Sequence, residues 1–422
     1  MLRPDEVFTL QLPLEPTNVY AERGKAETNL QKSLYRGLVP LVYGEFGVGK
    51  TSMVRYNLKD KEDQGGLVYI ESAEGMDFAG VISRILEVIG YEVTRERTAS
   101  SSGKVGAEVS SELSGGLSWI KAKMGGKVSA STEEGEALTK ELIVTSPSDG
   151  TVIGLAERKG LALVIDELHK ASDSFRNELT TFLKAYSNRS CKSFKIVLLG
   201  TTSDATALVR ADPGIDRLIQ EVNLPIMSNH ESKGLVESGM DKLDVSISEA
   251  LIDKVSKISG GSPTIVQFIS LEMAEEARRE ESVVEESYLQ NAVEEFVRTR
   301  ASRLNHSYVT SVETKGPKRL RKQILHAMAQ SPDEMVTMKF LVRSISDSLN
   351  EKISATALSG PLRKLKTKAF GPVLKDVQRS GSEDRVLNLN TFADPALKAF
   401  IRMRVIGEQE GVVFSDESPT AT

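Results

Sequence analysis

The chain has 422 residues, with 40% hydrophobic and 27% charged residues and a formal net charge of −5. That length is too great for one hydrophobic core, so two or three domains of an ordinary soluble globular protein are expected. The acidic balance gives no overall pull towards nucleic acid, and the single cysteine, Cys191, has no companion for a disulfide or a metal site. With no secretory core at the N-terminus and no long apolar run, a cytoplasmic setting without a membrane partner is expected.

Residues 1–37 approach the first strand. Leu38–Tyr43 is an apolar run that predicts a strand, and Ser52–Asn57 predicts a helix. Between them Gly44-Glu45-Phe46-Gly47-Val48-Gly49-Lys50-Thr51 fits G-x-x-x-x-G-K-[ST] without a mismatch. Glycines let such a loop wrap its N–H groups around phosphate oxygens, and the helix starting there presents its positive dipole end. Lys50 would reach the β- and γ-phosphates of ATP and the Thr51 hydroxyl would coordinate Mg²⁺, with Ser52 completing the binding segment.

Leu67–Ile70 predicts a second short strand, and apolar spacing at Phe78, Val81, Ile82, Ile85 and Ile89 predicts a helix from Asp77 to Ile89. From about 98 to 150 the texture changes. Ala99–Gly135 is rich in Ser, Gly, Ala and Lys and reads either as a hairpin turned at Gly115-Gly116 or as a flexible insertion. Trp119, the only tryptophan, is either a contact residue there or packed against the sheet.

Leu161–Asp166 followed by Glu167 is an apolar strand ending in two acids, the pattern of a buried central strand in a parallel sheet. Acids at such a strand end face the ligand crevice. Asp166 would hold the Mg²⁺ through water, and Glu167 would polarise the attacking water. His169 reads as a nearby loop residue, neither ligand nor base. Phe194–Gly200 is another apolar strand, and Thr201 and Thr202 after it either orient the water and sense the γ-phosphate or cap the strand end.

Residues 226–300 turn helical, with stretches at Ser248–Ile258 and Ile265–Ala277 and a crowd of acids from Glu272 to Glu286 that reads as a solvated face. Residues 301–317 read as a connector. Arg319–Met328, Met338–Ile345 and Ser354–Lys368 predict three helices, the last starting at Gly360-Pro361 instead if Pro361 interrupts it. Val373–Val377 and Val386–Leu389 around a Ser-Gly-Ser turn then predict a hairpin. Three short helices and a hairpin make a winged helix-turn-helix. From Lys318 to Arg379 thirteen basic residues stand against five acidic ones. Arg363, Lys364, Lys366 and Lys368 on the third helix would contribute salt-dependent affinity for duplex DNA. Winged helices also dock proteins, so an unknown protein partner stays open.

The order of these elements resembles the AAA+ ATPases, in particular the Orc/Cdc6-like and STAND-related branch that includes the archaeal ATPase family. Asn18-Val-Tyr-Ala-Glu22-Arg23 is similar to the family's F-V-G-R box near the adenine, with Glu22 in place of its glycine. Asp212-Pro-Gly-Ile-Asp-Arg217 resembles the segment carrying a trans-acting arginine finger, which implies a homo-oligomer in which Arg217 completes a neighbour's site. Gly260-Gly261-Ser262-Pro263-Thr264 resembles the G-x-P element opening a lid helix onto the nucleotide, with Ser262 as N-cap and Pro263 at the first helical position. Asp394–Ile401 resembles the terminal helix behind the winged domain.

The implied architecture is α/β: a P-loop AAA+ parallel-sheet core over 1–225 with an insertion at about 98–150, a helical lid over 226–300, a winged helix over 318–405 and a flexible tail over 406–422. The implied function is ATP binding and hydrolysis by a DNA-associated machine in replication, transposition or phage defence. The alternative is a slow nucleotide-dependent signalling switch of the STAND type whose winged helix docks protein.

Overall fold

The computed structural model describes residues 2–10, 17–95, 120–124, 148–201, 208, 213–281, 283–313, 320–380 and 386–414. The chain divides into two compact units, residues 24–43 with 53–223 and residues 1–23 with 44–52 and 224–422.

The first unit is the α/β layer. Its strands are β1 (Val39–Tyr43), β2 (Leu67–Glu71), β3 (Tyr91–Arg95), β4 (Ile120–Met124), β5 (Ala162–Asp166), β6 (Lys195–Gly200) and β7 (Ile219–Asn223). Five of them form one parallel sheet in the order β2-β5-β6-β1-β7. The inner strands β1, β5 and β6 are covered on both faces and read as apolar runs, all five residues of β5 being buried, whereas the edge strand β7 exposes Gln220, Glu221 and Asn223. Helices flank the sheet with capped ends: Asp77 accepts the Gly80 N–H before Phe78–Ile89, and Ser172 accepts the Phe175 N–H before Asp173–Ser187. Phe78 meets Phe175 and Phe182 at ring separations of 5.5 and 5.4 Å in the core between these helices.

Register sets where the acids emerge. Glu71 pairs with Asp166 and Tyr43 with Gly200, so β2, β5, β6 and β1 end nearly level at their C-terminal ends. β4 pairs antiparallel with β3, the strand before the insertion. The hairpin expected around Gly115-Gly116, and Trp119, lie outside the described residues.

The second unit is helical around one apolar core that runs from Val7 to Val412. Its helices include Asn229–Lys242, Glu249–Ile258, Pro263–Arg279 and Glu286–Thr299. The expected connector is a helix instead over Ser302–Val312, because Asn305, Tyr308 and Ser311 recur at helical spacing and are all buried. Helices Leu320–Gln330, Met338–Leu349 and Ala355–Lys364 follow, then the antiparallel pair β8 (Leu374–Ser380) and β9 (Val386–Phe392), and helix Ala396–Gln409. Ser354 caps the third of these by accepting the Ala357 N–H, so the helix starts there and contains Pro361. It stops at Lys364, four residues before the expected end, where the chain turns into a single helical turn at Lys368–Phe370.

Candidate functional site

The phosphate loop belongs to the helical unit. Gly47 and Gly49 have φ of 73° and 93°, left-handed values that a side chain would strain. Gly44 is needed for space, since a Cβ there would sit 2.2 Å from the Leu224 carbonyl oxygen. Pro263, at the first position of its helix as expected, lies against the loop, its Cγ 3.5 Å from where a Gly49 Cβ would be. Ser262 precedes it in the N-cap position, but its side chain makes no cap hydrogen bond.

Arg23 is 6% exposed and holds the loop from behind. One terminal nitrogen donates to the Val48 carbonyl at 2.7 Å, the other to the Pro225 carbonyl, and Nε lies 3.4 Å from Glu231. The Lys50 ammonium folds back on its own loop, donating to the carbonyls of Gly44 at 2.9 Å and Glu45 at 3.1 Å. Thr51 and Ser52 follow on the first turn of the helix, and Phe46 is 55% exposed.

Two residues that the sequence reading did not single out also hold this loop. Lys398 Nζ donates to Glu45 Oε1 at 2.6 Å, and an Arg402 terminal nitrogen lies 3.0 Å from both Glu45 oxygens. Both cations are almost fully buried, at 4% and 6% exposure. Burial pushes the Lys398 ammonium below its usual pKa and Glu45 opposes the shift. Their spacing of four places them on one face of Ala396–Gln409 amid apolar neighbours, the signal that could have found them.

In the sheet unit the acids stand at the end of β5. Asp166 is 4% exposed; its Oδ2 accepts from the Tyr69 hydroxyl and its Oδ1 from the Glu167 N–H at 2.6 Å. Glu167 takes a left-handed φ of 54°, which turns the chain sharply out of the strand. Its carboxylate pairs with Lys170 at 3.2 Å and His169 at 3.3 Å, and this pairing raises the Lys170 pKa. The Arg55 guanidinium lies 5.0 Å over the Tyr69 ring and pairs with Glu62 at 2.8 Å. Thr201 follows β6 directly, while Thr202 and Asp212 lie outside the described residues. Arg217 is exposed in the turn before β7. Among the described residues no group of three His, Cys, Asp or Glu could hold a metal by itself.

The basic residues expected on the third C-terminal helix part company. Arg363 and Lys364 are exposed at its end. Lys366 lies beyond it and donates to Asp376 at 2.5 Å and Asn390 at 2.7 Å, tying the helix to the hairpin. Lys368 is exposed in the following turn. No described helix is long and apolar enough to cross a membrane.

Residues 34–208 match the family model of an AAA domain, a span that takes in the phosphate loop, β5 and β6. No curated protein matches the chain. Solved structures similar to it include a Walker-type ATPase of Pyrococcus abyssi, at 17% identity over 94% of this chain and 99% of that one, with a TM-score of 0.49. The Aeropyrum pernix ORC2 protein is similar at 12% identity over 97% and 98%, with a TM-score of 0.47. Cdc6p from Pyrobaculum aerophilum is similar at 13% identity over 96% and 98%, with a TM-score of 0.45.

Proposed function

We propose, from the premise that residues 34–208 form an AAA domain, that this chain binds ATP with Mg²⁺, hydrolyses it, assembles with copies of itself and engages duplex DNA through its C-terminal region. The observation that carries the proposal is the loop itself: glycines in conformations only glycine adopts freely, backed by the buried Arg23, with the Lys50 ammonium held on the loop's carbonyls. A phosphate would compete for that ammonium and for the N–H groups of the loop.

Asp166 and Thr51 offer hard oxygen ligands of the kind Mg²⁺ takes alongside phosphate oxygens. The ion would supply charge neutralisation at the transferring phosphoryl group. Glu167 would accept the proton of an attacking water, with Lys170 and His169 holding its carboxylate in place. Thr201 and Thr202 would orient that water. Arg217, exposed on its turn, would act on a neighbouring subunit's phosphates and contribute about 10³ to 10⁵ in rate.

The three helices and hairpin at 320–392 would act as a winged helix, with exposed Arg363, Lys364 and Lys368 meeting the phosphate backbone while Lys366 braces the hairpin. A role in replication, transposition or phage defence would suit such a machine. A second reading, a nucleotide switch whose winged helix docks protein, is favoured by the phosphate loop sharing a compact unit with the C-terminal helices.

ATP turnover of the purified protein, with and without duplex DNA and over a range of salt and protein concentration, tests the proposal. DNA stimulation that fades with salt and rises steeply with protein concentration is expected, and Glu167→Gln should bind ATP without turning it over. Slow turnover indifferent to DNA overturns the machine in favour of the switch, and normal turnover in Glu167→Gln removes Glu167 as the base.

A further inference from the structure

We infer that Lys398 and Arg402 are positioning residues of the phosphate loop, holding it through the Glu45 carboxylate so that nucleotide occupancy and the C-terminal helix are energetically linked. The inference rests on the nucleotide-binding reading above and adds to it a residue set from the far end of the chain.

Glu45 is held at both ends. Its backbone carbonyl accepts the Lys50 ammonium at 3.1 Å, and its side chain accepts Lys398 at 2.6 Å and Arg402 at 3.0 Å. Lys50 must leave that carbonyl to reach a phosphate, so filling the loop alters the residue that the two buried cations grip. A surface ion pair would transmit little, because screening and side-chain entropy cancel most of its worth. This cluster is different, for all three side chains are largely out of solvent and two cations share one carboxylate. Loss of the carboxylate leaves two buried cations without their anion.

Arg402 also reaches beyond the loop. Its Nε donates to the Ala329 carbonyl at 2.9 Å and its other terminal nitrogen to the Gly260 carbonyl at 3.3 Å. Lys398 adds a hydrogen bond to the Asp333 carbonyl at 2.8 Å. Gly260 stands three residues before Pro263, the residue packed near Gly49. One guanidinium therefore joins the phosphate loop, the turn that opens the Pro263–Arg279 helix, and the end of the first C-terminal helix. A planar fork of fixed donors suits such a junction, and a lysine in its place would reach fewer partners. Linkage is reciprocal: whatever nucleotide does to this helix, a ligand acting on the helix does to nucleotide affinity by the same factor.

The test titrates a fluorescent ADP into the full chain and its Glu45→Gln and Arg402→Lys variants. Thermal midpoints are measured alongside, with hydrogen exchange across 396–409 with and without ADP. In the wild type, ADP should change the exchange of that helix at least fivefold. Each variant should bind roughly tenfold or more weakly and lose the exchange response, and the double variant should be no worse than the weaker single one, since both remove one interaction. Folded variants that bind within about twofold of wild type, even with lowered thermal midpoints, reduce the cluster to a structural brace and overturn the inference. So does a wild-type helix indifferent to ADP. Lys50→Ala separates the two failures: if it and the wild type alike bind no ADP, the nucleotide reading itself falls.

Discussion

Acidification should loosen the helical unit through His326. Its imidazole is packed on helix Leu320–Gln330, stacked at 11° on the Tyr308 ring, with Nε2 2.8 Å from the Tyr308 hydroxyl. Burial pushes its pKa from 6.5 down to about 4; Lys322 and Arg404 lower it further and Glu408 opposes them. The folded chain thus keeps the ring neutral over a range where the unfolded chain already takes the proton. The stability contributed is complete above about pH 6.5 and is lost as pH falls towards 4. At about 1.4 kcal/mol per pKa unit, the loss is about 2 kcal/mol by pH 5 and about 3 kcal/mol near pH 4. Carboxylates titrate in the same range, so the measurement is a difference between wild type and His326→Gln, whose amide can still bond the Tyr308 hydroxyl. Urea unfolding from pH 7.5 to 4.5, followed by hydrogen exchange in 320–330, should find the variant's deficit shrinking by about 2 kcal/mol by pH 5. A pH-independent difference, or an imidazole titrating near 6.5 by NMR, refutes the reasoning.

Gly44→Ala should abolish measurable ATP binding in a folded protein, because its Cβ would sit 2.2 Å from the Leu224 carbonyl oxygen and only the loop or that strand exit can move; calorimetric titration at wild-type affinity contradicts it. Tyr69→Phe removes the hydroxyl that donates to Asp166 and should raise the Mg²⁺ concentration for half-maximal turnover roughly tenfold, from a charge-assisted hydrogen bond of about 1.5 kcal/mol, with metal-free ADP affinity unchanged. An unchanged Mg²⁺ requirement, in a protein where Asp166→Asn does change it, removes Tyr69 as a positioning residue. Replacing Arg363 and Lys364 together by Gln should lower the salt slope of duplex binding by roughly 2 and leave ATP affinity alone, if both contact phosphate; fluorescence anisotropy over a salt series reads the slope directly.

What could be read from the chain was what is locally encoded. The phosphate loop announces itself because its glycines and Lys50 act within a few residues of each other, and β5 because a strand covered on both faces must be apolar throughout. The helix over Ser302–Val312 is hard to read because its buried face carries polar residues, Asn305 accepting from Arg404 at 2.7 Å and Ser311 donating to the Tyr308 carbonyl of its own helix at 2.7 Å. Nothing in the run from Arg363 to Lys368 reveals that the Lys366 ammonium also meets Asp376 and Asn390, which reach it only once the hairpin has formed. The spacing of Lys398 and Arg402 marks them as a pair, but their partner is not legible, since Glu45 lies 353 and 357 residues away along the chain.

The separation of residues between the two units bears on how variants should behave. The groups proposed to grip phosphate, with Arg23, Pro263, Lys398 and Arg402 behind them, belong to the helical unit, while Asp166, Glu167, Tyr69 and Thr201 belong to the sheet. Binding that is equal in ground and transition state changes affinity alone, whereas groups acting only on the reacting centre change the chemical step. Variants of Arg23, Pro263, Lys398 and Arg402 should therefore weaken ATP and ADP alike, with turnover at saturation falling little. Variants of the sheet acids should slow saturated turnover with affinity nearly intact. If Arg402→Lys slowed saturated turnover as much as Glu167→Gln does, with ADP affinity unmoved, the C-terminal helix would be acting on the chemistry and not on the loop's hold on phosphate.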